Sequence, residues 1–121
     1  MTNLIAVTIG DINGIGVHLL EEVWKKRKFR NFVLITNRKL FEDTKIFKNS
    51  QINIISNYKD IDKFNTNKIN ILNFKTRNKH TNVIDSLKLA YKLTKKKLFI
   101  GILTLPLNKL EINRFVSKNF I

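Results

Sequence analysis

The sequence predicts an α/β fold with a largely parallel sheet and flanking helices. Three observations lead there. Short apolar runs rich in β-branched residues recur along the chain and read as buried strands. Segments of helical period lie between them. No Ser-rich or Gly-rich linker, internal repeat or composition shift divides the 121 residues, so a single domain is expected.

Taken in order, residues 4–9, LIAVTI, form the first strand. After Gly16, Val17, Leu20 and Trp24, with Leu19 and Val23, keep apolar side chains at helical spacing. The basic run at 25–30 reads as a solvated helix end, where the helix dipole favours cations. Residues 31–36 form a second buried strand, 38–47 a weak helix and 51–55 a third strand. The polar stretch 57–68 reads as a surface connection with a turn of helix. Residues 69–74, INILNF, alternate apolar and polar side chains, which predicts a strand near a sheet edge.

Residues 81–94 show the clearest amphipathic helix, with Val83, Ile84, Leu87, Ala90 and Tyr91 in register and Thr81 as the expected cap. Residues 98–103, LFIGIL, read as a fully apolar strand. Pro106, the chain's only proline, follows it, and Asn108 is a candidate cap for a last helix over 109–115.

The formal charge is +14, which invites a nucleic-acid reading. Lysine supplies 18 of the 23 basic residues, and Lys, Asn and Ile together make 51 of 121. These three share A/T-rich codons, so coding bias accounts for the excess. The basic–aromatic interleaving of RNA-binding sheets is absent, and no specific nucleic-acid partner is expected. There is no cysteine, which fits a reducing cytoplasm. Neither a secretory leader nor an apolar run of membrane-spanning length is read from the sequence.

Function concentrates in two loops. Three of the four glycines fall at Gly10, Gly14 and Gly16, between the first strand and the first helix. A helix start behind such a loop offers amides and positive dipole charge to an anion; a tight strand-to-helix turn is the plainer alternative. Neither the dinucleotide fingerprint nor the phosphate-loop pattern is satisfied, since Leu19 stands where a third fingerprint glycine belongs. The second loop is Thr104-Leu105-Pro106-Leu107-Asn108-Lys109. Both leave the carboxyl end of an expected strand, the side on which ligands gather in such sheets.

The first loop, IAVTIGDINGIG, resembles the opening of the 4-hydroxythreonine-4-phosphate dehydrogenases, a strand followed by G-D-P-A-G-I-G-P-E. Gly10, Asp11, Gly14, Ile15 and Gly16 match; Ile12, Asn13, Val17 and His18 depart. TLPLNK is similar to that family's T-[AG]-P-[IV]-[NH]-K segment at Thr104, Pro106, Asn108 and Lys109, with Leu105 bulkier than usual and Ile112-Asn113 continuing the match.

The resemblance covers nearly all of this chain and about the first third of a family member. It implies that residues 1–121 are one incomplete domain of an isocitrate/isopropylmalate dehydrogenase-like fold. It also implies NAD(P)-dependent oxidation and decarboxylation of 4-hydroxythreonine 4-phosphate, a step in making pyridoxal phosphate. The cofactors would be NAD or NADP and a divalent metal (Zn, Mg or Co), in a cytoplasmic homodimer. The metal-binding histidines belong to a later part of the family sequence, so no metal ligand is expected here. Gly10, Asp11, Gly14, Gly16, Thr104, Pro106, Asn108 and Lys109 are the expected cofactor or substrate contacts. A non-catalytic α/β module binding a phosphorylated small molecule is the alternative. The fragment is expected to be inactive, and its incomplete sheet prone to aggregation.

Overall fold

Parallel strands cannot be joined by tight hairpins, so each pair needs a crossover that covers one face of the sheet. The structure, a computed structural model, describes residues 3–10 and 15–105. It contains β1 (Ile5–Thr8), α1 (Ile15–Lys25), β2 (Phe32–Ile35), α2 (Arg38–Glu42), β3 (Ile52–Ile55), β4 (Ile69–Leu72), α3 (Lys79–Lys95) and β5 (Gly101–Thr104). Short 3₁₀ turns occupy Asn49–Gln51 and Tyr58–Lys63. The strands form one sheet in the order β3-β4-β2-β1-β5, with every pairing parallel. The α/β expectation therefore holds.

Alternation along the strands divides the core into two layers. On one face Val7, Phe32, Leu34 and Ile71 pack with Val17, Leu20 and Trp24 of α1 and Phe41 of α2. On the other, Ala6, Val33, Ile35 and Leu72 pack with Ala90 and Leu93 of α3, joined by Tyr58 and Ile61. Burying each large apolar side chain contributes roughly 1.5–3 kcal/mol. Leu19 and Val23 of α1, both on the expected apolar stripe, are exposed instead.

Several expectations change. β4 is the second strand from the end of the sheet, as expected, but its alternation does not mark a solvent-facing side: it lies between β3 and β2, and all four of its residues are buried. Its alternating polar residue, Asn70, is buried because its amide is fully engaged. It accepts from Asn53 Nδ2 (2.7 Å) and Asn65 N–H (2.8 Å), and donates to the carbonyls of Asn65 (2.8 Å) and Lys68 (3.0 Å). β5 begins at Gly101 and is the last strand on its side among the described strands, with Ile102 and Leu103 exposed; Leu98 to Ile100 form the bend before it.

The cap of α3 is Asn78, whose side chain accepts from His80 N–H and Thr81 N–H (both 3.0 Å). Thr81 completes the reciprocal box from inside the helix by accepting from Asn78 N–H (3.0 Å). α2 stops at Glu42, and Lys45 takes a left-handed φ of 58°. The chain then returns so that Phe47 stacks on Phe41 (5.6 Å between centroids) and meets Trp24 edge-on (5.5 Å).

The basic segment after α1 is not uniformly solvated either. The Arg30 guanidinium lies 4.2 Å from the centre of the Trp24 ring and donates to the carbonyls of Trp24 (3.0 Å) and Thr66 (3.2 Å). It pins the entry of β2 to the loop before β4. No described helix is long and apolar enough to cross a membrane.

Candidate functional site

The two loops singled out by sequence start from neighbouring strands. β1 pairs with β5 along its whole length, Ile5 with Gly101 through Thr8 with Thr104. The pairing runs one residue past the strands, where Leu105 N–H donates to the Thr8 carbonyl (2.9 Å). Parallel neighbours lie about 4.8 Å apart, so the chain leaves both carboxyl ends side by side. Gly10 is buried two residues beyond β1, and Gly16 is buried in the first turn of α1. Neither has a left-handed φ. Thr104 is exposed at the end of β5, and Leu105 packs partly into the α1-side core. Asp11, Gly14, Pro106, Asn108 and Lys109 lie outside the described residues.

Thr8 is a residue that sequence reasoning passed over. It is 1% exposed, and its hydroxyl has no hydrogen-bond partner among the described residues. A buried hydroxyl without a partner costs about 1–3 kcal/mol. Its register partner Thr104 presents a second hydroxyl on the same face of the sheet. The threonine ending the strand just ahead of the glycines was the available signal.

A second polar cluster closes the carboxyl ends of β2 and β4. Asn82 of α3 is buried; its Oδ1 accepts from Asn37 N–H (2.9 Å), and its Nδ2 donates to Thr36 Oγ1 (3.0 Å). Asn37 Nδ2 donates to the Phe74 carbonyl (2.8 Å), and Arg38 N–H to Asn73 Oδ1 (2.8 Å). In a sequence with 16 asparagines, none of these stood out. His18 is exposed on α1 and His80 half-buried at the start of α3. Among the described residues no three His, Cys, Asp or Glu side chains are grouped to hold a metal.

Comparison of the chain with protein families, with curated proteins and with solved structures finds no match. The site is therefore read from its own residues.

Proposed function

We propose that this chain is the N-terminal portion of an NAD(P)-dependent, metal-dependent dehydrogenase of the 4-hydroxythreonine-4-phosphate dehydrogenase type, with an isocitrate/isopropylmalate dehydrogenase-like fold. The observation that carries the reading is the β1–β5 pairing, which sets the start of one motif loop beside the start of the other. In open parallel sheets ligands bind beyond the carboxyl ends of the strands.

In this reading the backbone of the Gly10, Gly14 and Gly16 loop approaches the ligand closely, and Asp11 orients the loop or the ligand. Thr104 and Asn108 offer hydrogen bonds to the nicotinamide or the substrate, and Lys109 offers a cation to an anionic group. Pro106 fixes the backbone between them. The bound nicotinamide supplies the hydride acceptor for a small phosphorylated amino-acid substrate. The reading assigns the divalent metal to histidines beyond this chain, in a homodimer, and gives it no ligand among residues 1–121.

The reading expects a G-[HQ]-T-E segment and three spaced histidines in the transcript beyond Ile121. A genuine stop codon directly after Ile121 would favour the non-catalytic, phosphate-binding module. The 121-residue chain by itself is expected to give no reduced nicotinamide with 4-hydroxythreonine 4-phosphate, divalent metal and NAD or NADP. Turnover above a metal-only blank, abolished by Lys109→Ala, would contradict the assignment of the metal site to missing sequence.

A further inference from the structure

We propose that the notch between α2 and the β4–α3 loop is a second anion site, which takes the phosphate of a small phosphorylated ligand. It stands apart from the β1–β5 end, so either reading can fail without the other.

β2 and β4 are neighbours in the sheet. The chain leaving β2 enters α2, whose Phe41 packs in the α1-side core. The chain leaving β4 enters α3, whose Ala90 and Leu93 pack in the opposite core. Adjacent parallel strands whose connections diverge to opposite faces leave a crevice beyond their carboxyl ends, the switch point at which open α/β sheets bind ligands. Among the described residues no other neighbouring pair diverges in this way: β2 and β1 both continue to the α1 side, β3 and β4 both to the α3 side.

A depression of about 220 Å³ lies at that point, with Lys39 and Asp43 on one wall, Thr76, Arg77 and Asn78 on the other, and Asn37 between them. It is smaller than a drug-sized pocket, which runs to roughly 300–1,000 Å³, and suits one small head group.

The Asn37 side chain is engaged with the Phe74 carbonyl and with Lys39 N–H and Leu40 N–H. The Asn78 side chain is engaged with the first turn of α3, and the Thr76 hydroxyl is bonded to Thr81 (2.9 Å) and Asp85 (3.4 Å). These groups form a fixed frame. The Arg77 guanidinium and the Lys39 ammonium, from opposite walls, have no ion pair or hydrogen bond among the described residues. An arginine and a lysine lining one notch suit a phosphate, which Arg can bind through two parallel hydrogen bonds. Asp43 opposes the anion and limits affinity.

The chain is basic throughout, so charge alone identifies nothing, and the test must separate this notch from general adhesion. Inorganic phosphate and ribose 5-phosphate are titrated into the full chain at fixed ionic strength and followed by ¹⁵N NMR. Saturable shifts centred on Thr76, Arg77 and Lys39 are expected. The Lys39→Ala/Arg77→Ala variant should bind at least about tenfold more weakly, the loss of both charge-assisted contacts. The charge-matched Lys88→Ala/Lys92→Ala variant should stay within about twofold of the parent. All four side chains are exposed, so unchanged thermal unfolding is expected in both variants. Asp43→Asn should tighten binding about twofold. Tighter binding of ribose 5-phosphate than of inorganic phosphate identifies a phosphate monoester as the ligand; equal binding identifies the free anion. Non-saturating shifts over all lysine-rich segments, equal weakening in the two double variants, or retained affinity in Lys39→Ala/Arg77→Ala would overturn the proposal.

Discussion

β4 and β5 invert the usual relation between a strand's sequence and its surroundings. β4, INIL, carries an asparagine and is wholly buried between two neighbours. β5, GILT, is apolar until its last residue and lies at the edge, with Ile102 and Leu103 exposed. A Cβ added at its Gly101 would meet nothing within 4 Å. Burial follows position in the sheet. A polar residue survives inside when every one of its hydrogen-bonding groups is met, and apolar residues remain outside when no layer covers them. Asn70 works by holding the turn that launches β4: its amide ties down Asn65 and Lys68 and reaches the next strand through Asn53.

The comparison can be broken by substitution, starting with the largest effect. Ile71→Ala on β4 removes a fully buried side chain between two strands and should cost about 3 kcal/mol in denaturant unfolding. An effect under about 1 kcal/mol would mean that the β2–β4–β3 half is loosely packed. Asn70→Ala should cost about 2 kcal/mol, because it leaves the part-buried N–H and carbonyl of Asn65 and the Lys68 carbonyl without their partner, and Asn53 with only the Lys63 carbonyl. Asn70→Leu should not rescue it, which separates hydrogen bonding from volume.

Smaller effects are expected at the helix ends. Arg27 and Lys97 hold left-handed φ values of 56° and 65° just beyond α1 and α3. In each case the next two amides close back on the last turn: Arg27 N–H to Trp24 O and Lys28 N–H to Val23 O, and Lys97 N–H to Thr94 O and Leu98 N–H to Leu93 O. Glycine is the residue that adopts this cap without strain. Lys97→Gly should raise stability by about 0.5 kcal/mol, the relief of strain outweighing added freedom of the unfolded chain. Destabilisation would show that the lysine side chain has its own stabilising contact. The smallest stability change is expected on β5, where Leu103→Lys should shift unfolding by no more than about 0.5 kcal/mol while reducing self-association in light scattering.

The fold was legible because its signals are local. Apolar runs marked β1, β2 and β3 to within a residue or two, and the period of 83–91 marked α3. What was not legible depends on partners distant in sequence. Nothing near residue 70 announces that Asn53 and Asn65 will satisfy its amide, so alternation alone did not show that Asn70 is buried. Nothing near residue 102 announces that β5 will have β1 as its only neighbour among the described strands. Thr81 and Asn78 compete for the same cap, and only the backbone shows that Asn78 holds it while Thr81 answers from the next turn. The candidate site divides similarly: the glycines and TLPLNK were visible as motifs, whereas the β1–β5 register that brings their strands together, and the partnerless Thr8 hydroxyl beneath them, emerge only from pairing.

In the proposed function the glycine loop and the loop after β5 serve one ligand. The direct test is a ¹⁵N NMR titration of the chain with 4-hydroxythreonine 4-phosphate, in the Lys39→Ala/Arg77→Ala background to remove the second anion site. The amides of Gly10, Gly16 and Thr104 should shift together along one saturating isotherm. Shifts confined to one loop, different isotherms at the two loops, or no response at either would contradict the claim.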